Sequence, residues 1–239
     1  MVSAVDEAEL RQALIGVRAL VERDLTAFFT SLNLDRPESA RDQLLEFVPL
    51  LVSQYGEVAA SFAADWYDEM RDAEGMPGRF RAETQDSPYE DATEGLVRRA
   101  AGALFTESPV DALVALTASA GKYALAAGRE TITAATDRDP RASGWKRVTR
   151  SGSCRFCRML AQRGAVYKES SAFFASHGDC NCAAVPSWDQ SAPEVDVFAY
   201  EASARMSGLR QAAANGNKDA QRRIDEHNAL IRRAVDEYA

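Results

Sequence analysis

The chain has 239 residues, 36 acidic against 28 basic, and a net charge of −8. That length can bury a core in one or two domains, and the acidic balance argues against a dedicated nucleic-acid binder. No run of about 18 apolar residues occurs, and the acidic start MVSAVDEAEL lacks the form of a secretory signal. A soluble protein, made and used in a reducing cytoplasm, is the expectation.

The first element reads as a helix. Leu10, Leu14, Val17, Val21, Leu25, Phe28 and Leu32 recur every three or four residues and form one apolar stripe. Asn33 and Asp35-Arg36-Pro37 end it. A second helical pattern follows through Leu44, Val48, Leu51, Tyr55, Val58, Phe62, Trp66 and Met70. Pro49 lies inside it and lacks a backbone donor, so a kink or break is expected there. At this spacing Tyr55, Phe62, Trp66 and Tyr67 read as core and not as a binding platform. Gly75-Met76-Pro77-Gly78 stops the helix, and the polar stretch to Pro88 reads as a hinge or exposed loop.

A third helix is predicted over 90–105. Ser108-Pro109 then reads as an N-cap followed by a first-turn proline, opening a fourth helix that runs to about Thr136. Leu113, Thr117, Ala120, Ala124 and Ala127 line one face of it. Such small residues let neighbouring helices approach closely, and no chemistry is expected from them. DRDPRAS, over 137–143, is a loop. Short strands are predicted over 144–149, 164–167 and 182–186, and helices return over 200–214 and from about Ile224 to Tyr238.

All four cysteines and one of the two histidines fall between Cys154 and Cys182, as C-x2-C followed by H-x2-C-x-C. Cys154, Cys157, His177, Cys180 and Cys182 are five candidate ligands where a tetrahedral zinc needs four. Cys154 and Cys157 act as a unit, and His177 is the nearby imidazole. Cys180 and Cys182 are two apart, so in an extended segment both point to one face, although only one is needed. A structural Zn2+ explains how about forty-five residues with three short strands hold together. A disulfide pair and a catalytic Cys–His pair are the alternatives. The predicted fold is mainly α, with a helical domain over 1–139, a small zinc-stapled α+β module over 140–190 and C-terminal helices over 191–239.

Charge is unevenly spread. Twenty acids face eight bases through Gly95, whereas Arg141, Lys146, Arg147, Arg150, Arg155, Arg158, Arg163 and Lys168 form a run without an acid. Two readings stand: a contact surface for nucleic acid or an acidic protein face, the chain's own N-terminal half included, or charge compensation around thiolates. The aromatics interleaving the run are Trp145, Phe156 and Tyr167, too few for sequence-specific recognition. The chain has no His-x-Glu, no H-E-x-x-H, no G-x-S-x-G and no phosphate-binding G-x-x-x-x-G-K. His227 sits among charged residues of the last helix and reads as a non-ligand. Nothing here requires an enzyme.

GWKRVTRSGSCRFCRMLAQRGAVY, followed by HGDCNCAAVPSW, resembles the MuF-like minor head proteins of tailed bacteriophages, especially those of actinobacterial phages. Cys154, Cys157, Gly164, Tyr167, His177, Cys180, Cys182 and Pro186 fit that pattern over about residues 144–188. KYALAAGRETITAATDRDP is similar more loosely. The resemblance implies a virion protein inside the phage head, made in the bacterial host cytoplasm. Such a protein associates with the portal and with capsid or scaffold, and acts in head assembly and genome packaging or ejection. It also implies DNA contact without sequence preference in some relatives. In actinobacterial phages, genes at this position are often labelled capsid maturation proteases, so the resemblance makes a protease the runner-up, although no histidine here is placed to serve a serine.

Overall fold

The computed structural model describes residues 2–149, 153, 155–162, 180–191 and 209–237. Helix α1 spans Ala4–Ser31, α2 Pro37–Ala73, α3 Thr93–Ala100, α4 Asp111–Arg138, α5 Arg155–Gln162 and α6 Lys218–Glu237. A 3-10 turn, Ala101–Phe105, continues α3, and residues 209–214 are helical. Strands β1 (Gly144–Val148) and β2 (Ala183–Ser187) form an antiparallel pair, with Trp145 opposite Pro186 and Val148 opposite Ala183. The fold is mainly α with one small sheet, as expected. The strand predicted over 164–167 lies outside the described residues.

Helix α1 starts at a capping box. The Asp6 amide donates to the Ser3 hydroxyl, and the Ser3 amide donates to the Asp6 carboxylate at 3.1 Å. Its buried stripe follows the predicted positions except at one step, where Phe29 enters the core. Phe28 sits at the edge instead and stacks on Phe47 of α2, ring centroids 3.8 Å apart. Helix α2 is continuous through Pro49. The lost hydrogen bond costs about 3 kcal/mol, and the buried row Leu44, Val48, Leu51, Val52 and Tyr55 on either side outweighs it. Val58, expected on the core face, is 48% exposed.

Helix α4 lies at the centre, packed on α2, α1 and both strands. Its small face does what the sequence suggests. A Cβ on Gly128 would lie 2.8 Å from the Ala59 carbonyl oxygen, so α2 and α4 cross almost backbone to backbone there. At its start the register differs from the predicted one: Ala112 and Leu116 are buried, while Leu113 and Thr117 are only partly so. Pro109 and Val110 form a turn before the helix begins, in which the Asp111 amide donates to the Ser108 carbonyl at 3.0 Å.

The segment between α2 and α3 is pinned to the body. The Ala82 amide donates to Asp68, the Gln85 amide to Thr131 and the Ser87 hydroxyl to the Tyr123 carbonyl. Of the hinge or exposed loop expected there, the structure shows a largely exposed loop strapped along α2 and α4. One buried network ties four segments together. Asp139 accepts from Arg71 Nε at 2.9 Å, from the Tyr67 hydroxyl and Trp188 Nε1 at 3.2 Å each, and from the Arg141 amide at 3.0 Å. Arg71 also donates to the carbonyls of Met76, Pro77 and Gly78. Strand β2 reaches Ser187 through Pro186, which a strand paired along one side tolerates. The apolar cluster runs without interruption from α1, α2 and α4 into Trp145, Cys157, Cys180, Cys182 and Trp188.

Candidate metal centre

Three cysteines meet inside the protein. Cys157 sits in the first turn of α5, and Cys180 and Cys182 flank Asn181 in the extended approach to β2. The alternation of an extended chain sends both sulfurs to one side, and the antiparallel pairing with β1 holds that approach against the body. The Sγ atoms of all three lie within 4.8 Å of one another, with Cys157 and Cys180 at 3.8 Å. Zinc–thiolate bonds of about 2.3 Å in a tetrahedron put two sulfurs about 3.8 Å apart. A disulfide needs about 2.0 Å, and all three thiols are free. The trio is almost wholly shielded from solvent, at 1–2% exposure. It is a soft-donor set of the size and spacing that a tetrahedral metal ion takes.

Without metal, the three share protons unequally. Hydrogen bonds from the Cys157 and Cys182 thiols hold the Cys180 sulfur far below its ordinary value as a thiolate, and Arg129 adds to this. Cys157 is pushed up mainly by its hydrogen bond with Cys180. For Cys182 the Cys157 contact pulls down, but Cys180 and burial together push it up. A metal ion bound by the three sulfurs would displace their protons.

Two arginines close the site from the side of the body. Arg129 of α4, 2% exposed, donates from Nη2 to the Cys180 carbonyl at 2.6 Å and from Nε to the Cys182 carbonyl at 3.1 Å. Arg147 of β1, 4% exposed, brings Nη1 to 4.0 Å from Cys180 Sγ. Burial lowers the Arg129 pKa, and the Cys180 thiolate opposes that shift.

Of the five expected ligands, Cys157, Cys180 and Cys182 are brought together, and both members of the C-x-C pair face the cluster where one was thought sufficient. Cys154 and His177 lie outside the described residues. Two positions of the basic run are engaged within the molecule. Arg147 points inward, its Nη1 4.0 Å from Cys180 Sγ, and Lys146 is engaged by Glu7 of α1 at 2.6 Å. Arg141 and Arg158 are exposed, while Arg150, Arg163, Lys168 and the Arg155 side chain lie outside the described residues. Arg129 was missed. Its signal was a single cation closing the small, apolar run Tyr123–Gly128 of a buried helix.

A model of the VG15 protein family matches residues 1–207, which include the helical body, α5, both strands and all four cysteines. The chain belongs to the VG15 family. Membership marks it as a phage protein. The matched region stops short of α6. No curated protein matches the chain, and no solved structure does. Among the described residues, no helix is long and apolar enough to cross a membrane.

Proposed function

We propose that this VG15 protein is a MuF-like minor capsid protein, associated with the portal in the phage head and acting in head assembly and in genome packaging or ejection. The observation that carries the reading is the family match over 1–207, which spans the same cysteine segment that resembles the MuF-like proteins. The helical body and the buried cysteine trio support it.

In this reading the metal is zinc and its role is structural. Cys157, Cys180 and Cys182 supply three thiolates, and Cys154 or His177 supplies the fourth ligand. Thiolate-rich, buried and four-coordinate sites are structural; catalytic zinc keeps an open position. The ion joins α5 to the strand approach and so fixes a short module against α4. The function is then one of shape, a rigid module on a helical body that presents surfaces to portal and capsid or scaffold protein.

The test is co-purification. The chain, expressed with the portal protein of the same phage, should elute with it, and mass spectrometry of purified heads should detect the chain at low copy. Its absence from heads, together with no retention by portal, would refute the assignment.

A further inference from the structure

Arg129 is a cation with almost no solvent contact, placed on the central helix and aimed at the two carbonyls that bracket Asn181. Its planar fork matches two acceptors at once, which a lysine ammonium does not. The carbonyls it takes belong to Cys180 and Cys182, the residues whose sulfurs enter the cluster. Holding both carbonyls fixes the backbone segment from which both sulfurs project. Arg147 approaches the same cluster from β1, with its guanidinium near Cys180 Sγ.

Charge leads to the same conclusion. Three thiolates around a divalent ion leave one net negative charge in a buried site, and a fourth thiolate makes it two. Two buried guanidiniums supply two positive charges within the same core. Buried ions persist only when paired, so the arginines and the metal–thiolate centre each make the other's burial tolerable.

We propose that Arg129 is a positioning residue of the metal centre. It clamps the Cys180–Cys182 backbone in the liganding conformation and, with Arg147, balances the thiolate charge, so that metal loading is coupled to helix α4 and the body. The inference rests on the metal reading of the cysteine trio. Groups around a metal that orient its ligands typically change affinity by 10- to 100-fold when removed.

The experiment uses the full chain, wild type against Arg129→Gln, Arg129→Lys and Arg147→Gln. Zinc affinity is measured by chelator competition, ligand geometry by the absorption spectrum of the cobalt-substituted protein, and thermal unfolding with and without chelator. Arg129→Gln should weaken zinc binding by about 10- to 100-fold, and Arg129→Lys should recover part of that through its charge. The chelator should lower the unfolding temperature of Arg129→Gln less than that of wild type. A merely structural arginine would lower stability equally with and without metal, leaving zinc affinity and the cobalt spectrum unchanged; that result overturns the proposal. Should Arg129→Gln fail to fold, Arg129→Lys carries the test, because losing one of two carbonyl bonds must still weaken zinc binding. Wild type that binds no zinc would remove the metal reading itself. Wild type that binds zinc alongside variants of unchanged affinity would remove the Arg129 proposal alone.

Discussion

Asp139→Asn strikes the buried network at its acceptor. The Asp139 side chain is fully enclosed, at 0% exposure, and takes four donors: Arg71 Nε, the Tyr67 hydroxyl, Trp188 Nε1 and the Arg141 amide. Asparagine keeps the shape but turns one oxygen into a donor. In either amide orientation an N–H then faces another N–H or the Tyr67 hydroxyl, and the Arg71 charge loses its counterion. Breaking a buried pair on one side costs about 3–5 kcal/mol. Arg71 retains the carbonyls of Met76, Pro77 and Gly78, which sets the expected loss near the lower end, about 3 kcal/mol. For a chain of this size that is a fall in unfolding temperature of about 6–12 °C, read by far-UV circular dichroism. Acid gives a second readout. Burial pushes the Asp139 carboxyl up, but the Arg141 amide, the Arg71 guanidinium and the Trp188 indole outweigh it and hold it below its ordinary value. A depressed carboxyl stabilises the fold above its unfolded pKa of about 3.9 and loses that contribution as pH falls through the folded value. The gap between wild type and variant should therefore be full at neutral pH and close in acid. A loss under about 1 kcal/mol, the worth of an exposed pair, or a gap that widens in acid, would refute the reasoning.

Gly128→Ala should destabilise although alanine favours helix by about 1 kcal/mol, because the new methyl meets the Ala59 carbonyl oxygen at 2.8 Å and Leu14 Cδ2 at 3.2 Å; Gly16→Ala, with nothing within 4 Å, should stabilise, and thermal unfolding compares the two. Cys180→Ser and Cys182→Ser should each cost zinc content, since both sulfurs enter the cluster; full retention in either variant would remove that residue from the ligand set. With zinc bound by the three cysteines as thiolates, the two buried arginines beside them call for a fourth anionic ligand. Metal analysis should accordingly find zinc kept in His177→Ala and lost in Cys154→Ser, and the reverse would contradict the charge count.

Much of the fold was legible because single-element patterns govern it. The α1 stripe, the small face of α4 and the two short strands each follow from spacing within one segment. What spacing misses is decided between segments. Pro49 is tolerated because packing on both sides outweighs one missing hydrogen bond, and that packing is supplied by other helices. The 74–92 stretch is polar and turn-rich, yet Asp68, Thr131 and the Tyr123 carbonyl tie it down. Ligand spacing and the basic run marked the cysteine segment, but nothing near it in sequence pointed to Arg129. Arg129 lies fifty-one residues before Cys180 in sequence, and only the antiparallel strand pair beside α4 brings them together. Within the basic run, Arg147 turns in to Cys180 and Lys146 pairs with Glu7, placements set by segments distant in sequence.

Metal content tests the central claim most directly, since the cysteine centre links sequence motif, fold and assignment. The chain, purified without added metal and analysed by elemental mass spectrometry alongside native thiol titration, should carry one zinc per chain with its cysteines unreactive until a chelator is added. A metal-free protein whose four thiols react at once in the native state would contradict the account.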